Sequence, residues 1–140
     1  MSTAVDAFEG LVHEPTQTGG RGLDLTVADV REVTAPGRVD FGGGELSSAE
    51  TAPHERRARH PEDDYDWWHL GPGRYLLEYN ESLVADATAT VQTRDVLLER
   101  GAFHPTVTVA ELGRVPLSVG GAGLRLKENA RVSTVLEVSQ

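Results

Sequence analysis

None of the 140 residues is cysteine, which removes disulfide frameworks, thiolate nucleophiles and cysteine-ligated zinc together. No apolar run approaches the roughly 20 residues that a membrane helix needs. The first ten residues carry Asp6 and Glu9 with no basic stretch ahead of an apolar one, unlike a secretory leader. Positive charge is also short. Lys127 is the only lysine, and 13 basic side chains face 22 acidic ones for a formal net charge of −9. A surface of that sign argues against sequence-independent binding to nucleic acid. Aromatics are sparse at 6%, yet 39% hydrophobic residues keep the chain outside the disordered range. These shortages predict a soluble, cytoplasmic protein of one domain, since a chain of this length hides roughly 68–70% of its unfolded surface.

Helical periodicity is scarce, and short β-branched runs punctuated by glycine and proline take its place. Leu23-Asp24-Leu25-Thr26-Val27 alternates, and Arg38-Val39-Asp40-Phe41 is a strand candidate ended by Gly42-Gly43-Gly44. Residues 45–66 turn polar and read as a surface excursion. A strand is expected over 67–70, and Gly71-Pro72-Gly73 suits a type II turn returning the chain as its partner over 74–79. Further strands are expected at 87–92, 107–109, 115–119 and 132–138, with 94–100 the one convincing helix.

Three residues stand out chemically. Asp24 alternates with leucines and so faces away from them, either as a solvated strand aspartate or as a ligand group. Arg94 opens the short helical turn Thr93-Arg94-Asp95-Val96-Leu97-Leu98-Glu99-Arg100-Gly101. Its planar fork of donors suits phosphate, and it also suits a pairing with Asp95 or Glu99. Arg131, in Asn129-Ala130-Arg131-Val132, reads by itself as an edge-strand charge that limits aggregation. The five histidines show no ligand-type pairing, and the glycine clusters at 19–20 and 42–44 lack the lysine of a phosphate-binding loop.

Together these segments resemble the family of dUTP diphosphatases (dUTPases) and dCTP deaminases. Gly22-Leu23-Asp24-Leu25 resembles its first motif, 94–101 its second and Asn129-Ala130-Arg131-Val132 its last. The resemblance implies an all-β fold, a distorted β-barrel of the dUTPase-like β-clip type with one short helix, assembled as a homotrimer. It implies a deoxynucleoside triphosphate ligand and Mg2+, with Asp24 holding the ion through water and Arg94, Asp95, Gly101 and Arg131 at the substrate. The chain also departs from the pattern. Thr93 replaces a proline, and Asp95 replaces a serine that would donate to phosphate, so a carboxylate meets an anion there. Ser133 and Thr134 stand where alanine and glutamine are usual. Thr108 stands where the hydrolases have the aspartate that orients water, and Glu111 where a tyrosine is expected. Threonine is too weak a base for that task, which leaves Glu111 as the candidate. Ser118 occupies the position of the deaminases' catalytic glutamate. Hydrolysis of dUTP to dUMP and diphosphate is the expected activity. The rivals are a non-catalytic relative that binds a nucleotide or a protein partner, and a dCTP deaminase.

Overall fold

The longer alternating runs of this chain form strands, among them Leu23–Ala35, which stops before Pro36, and Val115–Val119, which stops before Gly120. The computed structural model describes residues 4–140; residues 1–3 of the N-terminal stretch read above lie outside it. A 3-10 turn (Ala4–Ala7) leads into β1 (Phe8–Glu9), α1 (Glu14–Gln17), β2 (Leu23–Ala35), β3 (Glu50–Pro53) and β4 (Arg56–Arg57). There follow β5 (Trp67–Leu70), β6 (Gly73–Tyr79), β7 (Ser82–Leu83), β8 (Thr88–Thr93) and α2 (Asp95–Leu98). The chain closes with β9 (Ala102–Phe103), β10 (Val107–Val109), β11 (Val115–Val119), β12 (Leu124–Lys127) and β13 (Arg131–Ser139).

One curled sheet of eight strands runs β10-β8-β13-β2-β6-β11-β9, with β3 added beside β2. A three-stranded sheet, β12-β5-β4, and the small pair β1-β7 complete an all-β, distorted barrel. Leu25, Val27, Val30, Leu77, Leu117, Val91, Val132 and Trp68 form its fully buried centre. β2 keeps Leu23, Leu25, Val27 and Val30 inside although the last two are an odd number of residues apart. A register shift against β6 between Val27 and Asp29 restores the inward phase. On β6, Tyr75, Leu77 and Tyr79 are all buried, as the alternation requires.

Four local expectations change. Segment 38–41 is not a strand: it makes a single bridge, Arg38 to Ser47, at the tip beyond β2 and β3, where Val39 and Phe41 are exposed and have nothing to pack on. The turn at 71–73 does not close a hairpin. β5 pairs with β12 and β4, whereas β6 pairs with β2 and β11, so the turn is a corner between sheets. Gly73 sits at φ +148, far from the value near +80° that a type II turn asks of its third residue. The Tyr75 hydroxyl donates to the Gly71 carbonyl at 2.8 Å and fixes the corner. The polar span 45–66 holds β3 and β4, whose main chains pair although their side chains bury little. Finally, α1 is a second short helix. Its entry is set by His13, whose ring nitrogen accepts from the Thr16 amide, and by Pro15 in its first turn.

Candidate active site

The centre of the large sheet assembles the site. Asp24 on β2 lies directly opposite Thr134 on β13, and Thr134 lies opposite Gln92 on β8, so the three form one row across three strands. Gly22 makes the row possible: a Cβ there would come 2.9 Å from the Val135 carbonyl, forcing β13 away. Two residues beyond Gln92, on the same face, stands Arg94, the N-terminal flanking residue of α2. Arg131 is three residues from Thr134, and in an unbroken strand it would face the other way. A bulge between Arg131 and Ser133 resets the alternation and brings its guanidinium round to Asp24.

The outcome is a buried carboxylate held by two arginines. Arg94 Nε lies 3.3 Å and Arg131 Nη1 3.2 Å from Asp24 Oδ2, while the Thr134 hydroxyl donates to Oδ1 at 2.7 Å. Asp24 faces away from the leucines, but the face it occupies is covered; only 3% of the residue is exposed. Each arginine also reaches a main-chain carbonyl. Arg94 Nη1 donates to the Arg131 carbonyl at 3.0 Å, and Arg131 Nη1 to the Thr16 carbonyl at the end of α1 at 3.1 Å.

Behind this cluster lies a second polar layer. Glu81 is 97% buried, its Oε1 accepting from the Thr26 amide and its Oε2 from the Thr26 hydroxyl and Gln17 Nε2 at 2.6–2.9 Å. Gln17 also donates to the Asp24 carbonyl at 2.9 Å, so α1 and Glu81 brace the strand that carries Asp24. On the opposite face of β13, the Ser133 hydroxyl lies 2.7 Å from both Tyr79 Oη and His104 Nε2. Burial holds the His104 pKa below its ordinary 6.5 despite the Pro105 carbonyl at its other nitrogen. Burial, with the Glu81 carboxylate nearby, pushes the Tyr79 hydroxyl up to about 12.

A cleft of about 160 Å³ opens onto the row, lined by Gly20, Arg21, Asp24, Gln92, Arg94 and Asp95 with Val96 and Thr134. Asp24 and Arg94 form its floor. Arg21 and Asp95 form its rim, joined by an ion pair of 3.2 Å. Of the site residues expected from sequence, Asp24, Arg94 and Asp95 meet in this cleft, and Arg131 reaches Asp24 from the side. Gly101 lies elsewhere: at φ +82 it ends the turn after α2, its amide donating to the Leu98 carbonyl at 3.1 Å. Thr108 is on β10, its hydroxyl 2.9 Å from that of Thr90, and Glu111 is exposed in the loop after β10; neither lines the cleft of its own chain. Arg21 was invisible as a site residue, being a lone arginine between glycines. Gln17 and Glu81 were equally hidden, 64 residues apart.

Asp24 also limits how a cation could bind. A carboxylate has about four acceptor directions; the Thr134 hydroxyl and Arg131 take two, and the Arg94 guanidinium lies beside Oδ2. What remains suits a water carried on a magnesium ion rather than the ion itself. Among the described residues, no three histidine, aspartate or glutamate side chains are grouped to hold a metal.

The described residues thus form a curled antiparallel barrel with Arg21 and Arg94 lining one polar cleft. No protein-family model matches the chain. It is 32% identical over 136 residues to a protein of Methanosarcina acetivorans named probable deoxyuridine 5'-triphosphate nucleotidohydrolase, an alignment covering 92% of this chain and 76% of that protein. A protein of the same name from Methanococcoides burtonii is 29% identical over 137 residues, covering 91% and 76%. The chain belongs to the deoxyuridine 5'-triphosphate nucleotidohydrolase family. Its fold is also similar to the crystal structure of 2'-deoxycytidine 5'-triphosphate deaminase from Agrobacterium tumefaciens, with a TM-score of 0.55 at 14% identity. That match covers 94% of this chain and 43% of the deaminase chain, so this chain spans less than half its length.

Proposed function

We propose that this protein hydrolyses dUTP to dUMP and diphosphate, water adding across the bond between the α and β phosphates. The observation that carries this reading is that Asp24, at the floor of the cleft beside Arg94, is also reached by Arg131 from outside the cleft lining. Two guanidiniums against one carboxylate leave a surplus positive charge, and the buried surroundings make that charge more effective toward phosphate than it would be in water. Arg94 and Arg131 position and neutralise the phosphates, and Thr134 and the Gln17–Glu81 layer keep Asp24 in place. Magnesium arriving with the nucleotide would draw off phosphate charge, and Asp24 would hold it through one of its waters. In a homotrimer, Glu111 of a neighbouring subunit would take the proton of the attacking water; in its own chain it lies outside the lining of the cleft.

Deamination of dCTP is the weaker reading. Ser118, in the position that resembles the deaminases' glutamate, sits mid-strand on β11 opposite Arg74 and Phe103 and offers no carboxylate. Diphosphate and ammonia release from dUTP, dCTP and dTTP in the presence of magnesium separates the readings. Diphosphate from dUTP, lost in Arg94→Ala together with about 1.5–3 kcal/mol of binding, is the expected result. Thermal stabilisation by dUTP without any diphosphate would replace hydrolysis by binding alone, and ammonia from dCTP would replace it by deamination.

A further inference from the structure

Asp95 puts a carboxylate beside the phosphate-binding arginines, and on its own it would repel the ligand proposed above. In the fold it is not alone. Arg21 Nη1 lies 3.2 Å from Asp95 Oδ2, 76% and 65% of the two side chains are exposed, and both line the cleft above Asp24 and Arg94. We propose that Arg21 is a third phosphate-binding residue, and that Asp95 is the internal anion occupying its guanidinium until a triphosphate takes its place. The inference rests on the nucleotide reading of the cleft and adds to it a means of telling triphosphate from monophosphate.

The floor and the rim differ in what holds them. Arg94 and Arg131 are committed to a buried carboxylate and to main-chain carbonyls, and moving either would strand a buried charge. Arg21 has no such commitment. Among the described residues its ion-pair partner is Asp95, and it rides on a loop with Gly19 and Gly20 before it and Gly22 after. An exposed ion pair of this kind contributes little to stability, whereas a guanidinium fork on phosphate makes two parallel charge-assisted hydrogen bonds. Exchange of carboxylate for phosphate at Arg21 is therefore favourable, and the displaced carboxylate is free to turn to solvent. Only a ligand whose phosphates run from floor to rim gains this contact. On this assignment a monophosphate held at the floor by Arg94 does not make it.

Affinity for dUTP, inorganic triphosphate and dUMP, measured by calorimetry on the intact protein, tests the assignment. Arg21→Ala is expected to weaken dUTP and inorganic triphosphate by about tenfold or more, to leave dUMP within about twofold, and to flatten the salt dependence of triphosphate binding. Asp95→Asn is expected to tighten both triphosphates. Since both side chains are largely exposed, neither variant should move the unliganded melting temperature, which separates lost contact from lost fold. Wild-type affinity for inorganic triphosphate in Arg21→Ala overturns the assignment, as does an equal loss for dUMP. Unchanged or weaker binding in Asp95→Asn overturns the competing-anion role. A wild-type protein that binds neither dUTP nor inorganic triphosphate removes the nucleotide reading itself.

Discussion

At the scale of single residues, the hydrogen bonds around Ser133 have only one consistent direction at neutral pH. The Pro105 carbonyl can only accept, so His104 Nδ1 carries the proton, Nε2 accepts from Ser133, and Ser133 accepts from Tyr79. Protonating His104 turns Nε2 into a donor; Ser133 Oγ can accept from both His104 and Tyr79, but the Ser133 proton then has no acceptor in a buried place. The lowered His104 pKa expresses this, with burial as its main cause. Between the folded value and the unfolded 6.5, the unfolded chain binds more protons than the folded one, so stability rises with pH. The contribution is complete above pH 6.5 and fades as pH falls through the folded value. Urea midpoints between pH 7.5 and pH 5 should fall more steeply in the wild type than in His104→Gln; parallel curves would dissociate the chain of hydrogen bonds from stability. None of this could be read in the sequence. His104 and Ser133 lie 29 residues apart and meet only because β13 is the neighbour of β8. That Asp24, Arg94 and Arg131 belong to short local patterns drew them out of the sequence, and the fold brings the three together, whereas Arg21 has only glycines around it.

At the scale of elements, strands were read well wherever one face is apolar, as at 115–119 and along the face of Tyr75, Leu77 and Tyr79. The errors fell where the same local chemistry serves two purposes. Gly-Pro-Gly makes a tight reversal whether the flanking strands pair or part, and only the partners of β5 and β6 reveal which. The bulge on β13 has no sequence signature either, yet it decides that Arg131 faces Asp24. One glycine in the small sheet is fixed by its surroundings. Gly123 has φ +80, and a Cβ there would lie 2.6 Å from the Leu70 carbonyl, where β12 joins β5. Gly123→Ala combines a left-handed backbone with a main-chain clash and should cost at least about 1–3 kcal/mol. Gly71, with no atom within 4 Å of a built Cβ, is the control. A Gly123→Ala protein with the urea midpoint of Gly71→Ala would mean that the corner relaxes without cost.

At the scale of the whole molecule, neither candidate base lines the cleft that gathers Asp24 and Arg94. Thr108 is engaged with Thr90, and Glu111 stands in an exposed loop away from Asp24 and Arg94. If the active site is completed by a neighbouring subunit, as the homotrimer reading requires, the two halves of the site belong to different chains. Two defective proteins then repair each other. Arg94→Ala lacks the phosphate clamp but keeps Glu111, and Glu111→Gln has the reverse defect, so a site formed by the intact half of each is whole. Random mixing after reversible dissociation places intact halves together at about one site in four. An equimolar mixture of the two variants should therefore recover about a quarter of the wild-type rate of diphosphate release from dUTP, while each variant alone stays near zero. Sedimentation should give a species of three 15.1 kDa chains. A mixture no more active than its parts would mean that Glu111 and Arg94 serve the same chain or that Glu111 is not the base. Activity in Glu111→Gln alone would decide for the second, since the amide cannot take a proton from water.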